Sequence, residues 1–194
     1  DYVPSDPYKW EDISDESFDL IISGQAFEHI EFPWLTILEM KRVLKKNGLI
    51  CIVAPSRGPE HRYPVDCWRY YPDGFRSLAK WAGLEVVVVK TNWGTSGFVD
   101  GSDQWGDTYC VLRKAEDKPL DYLMAGDSYQ GSRLNRPVNR ANPLQKSHPD
   151  YYYSIARKEI IDIIPKYKLP SERILEIGCA GGATGRLLKE KVNV

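Results

Sequence analysis

Short unbroken apolar runs, set between turn residues and stretches of helical period, make up most of the chain. Phe18-Asp19-Leu20-Ile21-Ile22 leads into Ser23-Gly24, the pattern of a buried strand that ends in a tight turn. From Ile30 to Lys46 the apolar positions Leu35, Leu38, Val43 and Leu44 predict one face of a helix, with Asn47-Gly48 as its C-terminal stop. Leu49 to Ala54 is apolar throughout, which suits a strand covered on both faces in a parallel sheet, and Pro55 ends it. Ser56 to Tyr71 is aromatic and charged and predicts a loop over one end of that sheet. Pro72-Asp73-Gly74 opens a helix that runs to about Ala82, where Gly83 caps it. Leu84 to Lys90, with four consecutive valines, and Thr108 to Arg113 read as two more strands, joined by a Gly-rich connection.

Beyond Ala115 the pattern lapses. Ala115 to Asp150 is polar, interrupted by prolines, and reads as a linker; its basic residues Arg133, Arg136, Arg140 and Lys146 are those of a solvated segment rather than a phosphate grip. Periodicity returns from Tyr151 to Ile164 as a helix that Pro165 breaks. A strand from Arg173 to Gly178 follows, then a Gly-rich turn and a helix from about Thr184 to Lys191. The expected organisation is therefore 1–114, a linker over 115–150, and 151–194.

Charge narrows the partners. With 26 Lys+Arg against 27 Asp+Glu the chain lacks the basic footprint of a general nucleic-acid binder, so nucleic acid is not expected and a small molecule is. No apolar run is long enough to span a membrane and the first residues do not resemble a targeting segment, so a cytoplasmic protein without a membrane partner is expected. Cys51, Cys67, Cys110 and Cys179 are far apart and read as isolated thiols; no metal site is expected of them. The missing initiator Met and the stop at Val194, in what reads as the start of a strand, are expected of a fragment.

The sharpest chemical signal is Ile174-Leu175-Glu176-Ile177-Gly178-Cys179-Ala180-Gly181-Gly182-Ala183-Thr184-Gly185, a strand entering a Gly-rich turn that opens a helix. Such a turn lets a ligand meet bare backbone at a helix N-terminus. Ala180 and Ala183 stand where a dinucleotide fingerprint needs glycine, which disfavours an NAD-dependent oxidoreductase. An acid two residues before a Gly-Cys-x-Gly-Gly turn resembles the first motif of class I S-adenosylmethionine-dependent methyltransferases. The first half resembles later parts of the same family: Asp6-Pro7-Tyr8, Ser17 to Ser23 and Phe27-Glu28-His29 resemble the end of its third strand through its fourth. Val43 to Leu49 resembles the approach to the fifth, and Trp81-Ala82-Gly83-Leu84 the approach to the sixth.

The resemblance implies a Rossmann-like α/β methyltransferase fold with helices on both faces, but with its parts in reversed order. Two tandem domains cut between them, or a circular permutation, would give that order. Family strand order 3-2-1-4-5-7-6 puts strands one and seven roughly 14 Å apart. The linker spans about 100 Å when extended, so the halves can join within one chain or exchange in a domain-swapped homodimer. Because either half alone would leave apolar strands exposed, an incomplete, mostly parallel sheet ordered 1-4-5-7-6 is expected.

The implied cofactor is S-adenosylmethionine, and the implied activity is methyl transfer to oxygen or nitrogen of a small or carbohydrate-like acceptor. By the resemblance Glu176, Gly178, Cys179 and Gly182 would surround the methionine part, Ser23 and Gly24 would lie along it, and Asp6 would reach the adenine amine. His29 is the candidate base, and His61, Tyr63, Asp66 and Trp68 are candidate acceptor contacts. For Glu28-His29 a plain helix start is an equal alternative, and for the loop a self-packed lid is. The family's ribose-binding acid on strand two has no match, and losing a charged hydrogen bond of about 1.5–3 kcal/mol weakens binding by roughly tenfold to a hundredfold. Weak cofactor binding and impaired activity follow as expectations. The alternative from another class is a non-catalytic interaction or assembly domain on the same fold.

Overall fold

Strand β1 (Phe18–Gly24) shows why its sequence is apolar almost throughout: it is central, and both of its faces are covered. The computed structural model describes residues 6–93, 105–115, 158–166, 173–177 and 183–192. After β1 come a 3-10 turn (Phe27–His29), helix α1 (Pro33–Val43), strand β2 (Leu44–Pro55), helix α2 (Pro72–Ala82) and strands β3 (Glu85–Thr91) and β4 (Asp107–Arg113). Helix α3 (Lys158–Ile163), a 3-10 turn (Ile164–Lys166), strand β5 (Ile174–Ile177) and helix α4 (Ala183–Val192) complete the described elements. The expected linker lies almost wholly outside the described residues.

The sheet runs β3-β4-β2-β1-β5. Strand β1 is parallel to β2 on one edge and to β5 on the other, while β4 runs antiparallel to β2 and β3. With β5 as the family's first strand and β1, β2, β4 and β3 as its fourth, fifth, seventh and sixth, this is the order 1-4-5-7-6. Leu20 to Ser23 stand opposite Ile174 to Ile177, so the last part of the chain completes a sheet begun by the first.

Alternate side chains serve the two faces. Ile21, Ile50, Ile52 and Leu112 meet Ile37 and Met40 of α1 and Phe75 and Ala79 of α2. Leu20, Ile22, Cys51, Val53 and Val111 meet Ile160, Ile161, Ile164 and Leu188 from the C-terminal segment. Burying one such aliphatic side chain contributes about 1.5–3 kcal/mol. At the start of the β1–β5 ladder the Arg173 N–H donates to Asp19 Oδ2 at 3.2 Å, and Lys45 Nζ lies 2.9 Å from the same oxygen. The buried Asp19 carboxylate thus ties β5 and β2 to β1.

Two expectations are corrected in α1. The helix buries Thr36, Ile37, Met40 and Val43, while Leu35 and Leu38 are exposed, because at 3.6 residues per turn these two lie on the side opposite the Ile37–Met40–Val43 stripe that packs on the sheet. It ends at Val43, and the chain passes directly into β2; Asn47, at φ 62°, sits in a left-handed position within that strand instead of stopping a helix. Helix α2 follows its sequence signals: Pro72 opens it and Gly83, at φ 62° and ψ 42°, closes it.

Leu188→Ala, which empties a fully buried position on the C-terminal side of the sheet, is expected to lower unfolding free energy by about 2–5 kcal/mol. Because both parts of the chain share one sheet, urea unfolding should keep a single transition for Leu188→Ala and for Ile21→Ala alike.

Candidate functional site

Parallel strands β1, β2 and β5 bring their carboxyl ends to one rim, the usual place for a ligand in an open α/β sheet. Ser23 faces Ile177 in the ladder, so the chain leaves β5 beside Ser23 and Gly24. Ser23 is fully buried, and its Oγ has no hydrogen-bond partner among the described residues. Gln25 follows at φ 54°, a left-handed conformation uncommon outside glycine and costly enough to need support. That support comes from its N–H, which donates to the Val53 carbonyl at 2.8 Å, and from its amide Nε2, which donates to Asp107 Oδ2 at 2.7 Å.

Glu176 turns toward helix α4, where the Gly185 N–H donates to its Oε2 at 3.2 Å. A Cβ at position 185 would fall on that carboxylate, so glycine is what admits this approach. Gly178, Cys179 and Gly182 lie outside the described residues. Ser23 and Glu176 thus bring a buried hydroxyl and a carboxylate to the adjoining strands β1 and β5.

A second group forms where the loop from Ser56 to Tyr71 folds onto the 3-10 turn after β1. The Cys67 and Trp68 N–H groups donate to the Glu28 carbonyl at 2.7 and 3.2 Å, and Tyr70 Oη donates to the Phe27 carbonyl at 3.2 Å. The Glu28 carboxylate is wholly buried. His29 Nδ1 lies 2.6 Å from the Val65 carbonyl; since a carbonyl only accepts, that nitrogen carries a proton. His29 Nε2 is 3.7 Å from Glu28 Oε1, and His61 Nε2 is 3.9 Å from the same atom. The two imidazoles meet edge to face at 4.9 Å, with Tyr63 6.0 Å from His29 and Trp105 4.8 Å from His61.

Asp66 braces His61. Its Oδ2 accepts the His61 backbone N–H at 2.7 Å and lies 3.5 Å from Nδ1, and Arg69 grips both carboxylate oxygens at 2.5 and 2.8 Å. The Arg69 guanidinium holds the Asp66 carboxyl down at about 2, and burial, with His29 and Arg69 nearby, lowers the His61 pKa against the opposing pull of Asp66. His61 is therefore neutral at pH 7.

The fold thus gathers His29, His61, Tyr63 and Asp66, with Ser23 and Gly24 at the adjoining end of β1. Trp68 stands apart: its Nε1 donates to the Ile30 carbonyl at 2.9 Å and its ring packs 6.0 Å from Trp34, so it anchors the loop. Asp6 is exposed, and its Oδ1 accepts the Tyr8 N–H at 2.8 Å. Sequence reasoning treated Glu28 only as a local neighbour of His29 and gave no part to Gln25, Arg69 or Asp107. The Asp66/Arg69 spacing of three was the one local signal available.

Residues 1–52 match the sequence model of the family described as Methyltransferase domain. That stretch is similar to the family in sequence. An uncharacterized methyltransferase of Mycobacterium bovis is 30% identical over 91 residues, which are 44% of this chain and 34% of the relative. One of Mycobacterium tuberculosis is 30% identical over 90 residues, with the same shares. The chain spans about a third of the length of these curated relatives. A solved S-adenosylmethionine-dependent methyltransferase from Aquifex aeolicus aligns with a TM-score of 0.43 at 17% identity, over 59% of this chain and 55% of that one. The resemblance to class I methyltransferases is borne out by the family match and the named relatives, and the Rossmann-like fold by the sheet order. Among the described residues, no helix is long and apolar enough to cross a membrane.

The loop brace sets an acid dependence. Asp66, held below its ordinary 3.8, contributes stability above that value and loses it as pH falls through about 2; His61, also lowered, contributes while neutral and loses it as it protonates. Arg69→Met is expected to cost about 1–3 kcal/mol at pH 7 and to flatten the loss of stability between pH 3.8 and about 2, measured by urea titration at each pH.

Proposed function

We propose that this chain carries the methyl-transfer site of an S-adenosylmethionine-dependent methyltransferase acting on oxygen or nitrogen of a small or carbohydrate-like acceptor. The observation that supports this is the register of β5 on β1, which ends the glycine-motif strand at Ser23, one turn of chain before the Glu28-His29 pair. Glu176, Gly178, Cys179 and Gly182 with Ser23 and Gly24 hold the amino-acid portion of the cofactor, and Asp6 meets the adenine amine. When bound, the cofactor supplies an electrophilic methyl group; the chain's task is to position an acceptor against it and receive a proton.

His29 is suited to that task. The Val65 carbonyl orients the ring through Nδ1, and in the neutral imidazole the Nε2 lone pair takes a proton from the acceptor O–H or N–H as its oxygen or nitrogen bonds to the methyl carbon. The Glu28 carboxylate, 3.7 Å away, then faces the imidazolium. Tyr63, more than half exposed, flanks the histidines on the solvent side as an acceptor contact, while Asp66 acts by holding His61. Positioning contributes about 7–11 kcal/mol and the base roughly 3–5 kcal/mol, so alignment dominates.

Among the described residues no strand pairs with the outer edge of β5. Calorimetric titration with S-adenosylhomocysteine should give saturable binding that Glu176→Ala weakens by about tenfold to a hundredfold. His29→Asn should leave that binding unchanged while lowering labelled-methyl transfer to an acceptor panel by about 10²- to 10⁴-fold. Absence of saturable binding overturns the reading.

A further inference from the structure

We propose that Glu28, His29 and His61 form a binding site for one divalent transition-metal ion of the zinc type. Two imidazoles and one carboxylate are a donor set suited to Zn²⁺ with a fourth position open. One ligand atom from each residue lies within 4.8 Å of the others. Four ligands at about 2.1 Å around a tetrahedral ion stand about 3.4 Å apart, so the 3.7 and 3.9 Å separations from Glu28 Oε1 to the two Nε2 atoms need to close by only a few tenths of an ångström.

The surroundings are those of a metal site as well. An imidazole that ligates through one nitrogen is oriented by a hydrogen bond from the other, most often to a backbone carbonyl or a carboxylate. His29 has the first arrangement, with Nδ1 2.6 Å from the Val65 carbonyl. His61 is held through its backbone N–H, which donates to Asp66 Oδ2 at 2.7 Å, with Nδ1 3.5 Å from that carboxylate, which Arg69 fixes. Both Nε2 atoms lie within 3.9 Å of one buried oxygen, Glu28 Oε1. Two histidines side by side against a carboxylate gain more from a shared cation than from one proton. The histidine side chains remain 14% and 25% exposed, so the cluster opens to solvent on one side, where water or an acceptor oxygen completes the coordination.

This inference stands on ligand geometry and does not depend on methyl transfer. An ion here takes the Nε2 lone pair of His29, so in the metal-loaded chain acceptor activation passes from that base to the ion.

Titration of the tag-free, metal-stripped chain with Zn²⁺ against a chromophoric chelator should show one equivalent bound. Co²⁺ substitution should give visible ligand-field bands without thiolate charge-transfer absorption. Glu28→Gln and His61→Gln should each weaken Zn²⁺ binding at least tenfold, and Asp66→Asn by about tenfold through its hold on His61. Cys67→Ser and His148→Gln, the latter at the chain's remaining histidine, should leave it unchanged. The Co²⁺ spectrum needs no variant, so a poorly folding Glu28→Gln does not spoil the test. No bound equivalent, a thiolate band, or Zn²⁺ affinity untouched by His61→Gln overturns the proposal, while S-adenosylhomocysteine binding, measured separately without metal, reports on the methyl-transfer reading.

Discussion

Strand β1 has to be paired on both edges and covered on both faces, and almost every other part of the structure answers that demand. Its apolar run has no solvent-facing side, so β2 alone cannot satisfy it: the second edge would stay an open ladder of backbone donors and acceptors beside bare leucine and isoleucine. Strand β5 closes that edge, and Ile160, Ile161, Ile164 and Leu188 close the face that α1 and α2 leave open. Asp19 marks the join, its buried carboxylate shared between Lys45 and the backbone entering β5. Because the ladder is parallel and in register, structural closure also decides where the glycine-motif strand ends.

That closure puts chemistry at one rim. Carboxyl ends of parallel strands leave backbone groups and short polar side chains facing a shared crevice, and here Ser23 and the strained Gln25 stand at it. The loop from Ser56 to Tyr71 adds the second half of the site. It is pinned through hydrogen bonds to the backbone of Phe27 and Glu28 and through the Asp66–Arg69 pair, and it carries His61 onto His29. The buried Glu28 carboxylate faces two imidazoles, with His29 oriented by the Val65 carbonyl.

Periodicity in the sequence was a good guide wherever a segment's environment was uniform. Apolar runs such as Leu49 to Ala54 announced fully covered strands, Pro72 and Gly83 delimited α2, and the Glu176-to-Gly185 motif with the Phe18-to-His29 stretch carried the family resemblance and the sheet order. Its failures came where environment differs around an element. Leu35 and Leu38 read as core but face outward, since the helix turns Ile37, Met40 and Val43 to the sheet and these two lie on the opposite side. The Trp68 indole packs against Ile30 and Trp34.

The sequence by itself determined the elements and the family resemblance, because local backbone preference and hydrophobic period are written in neighbouring residues. Only tertiary structure decided that Glu28 is a buried carboxylate, that His61 joins His29 against it, and that Asp66 and Arg69 brace the pair. Those facts depend on how a loop closes over a sheet end, and no spacing along the chain encodes a contact made between segments so far apart in sequence.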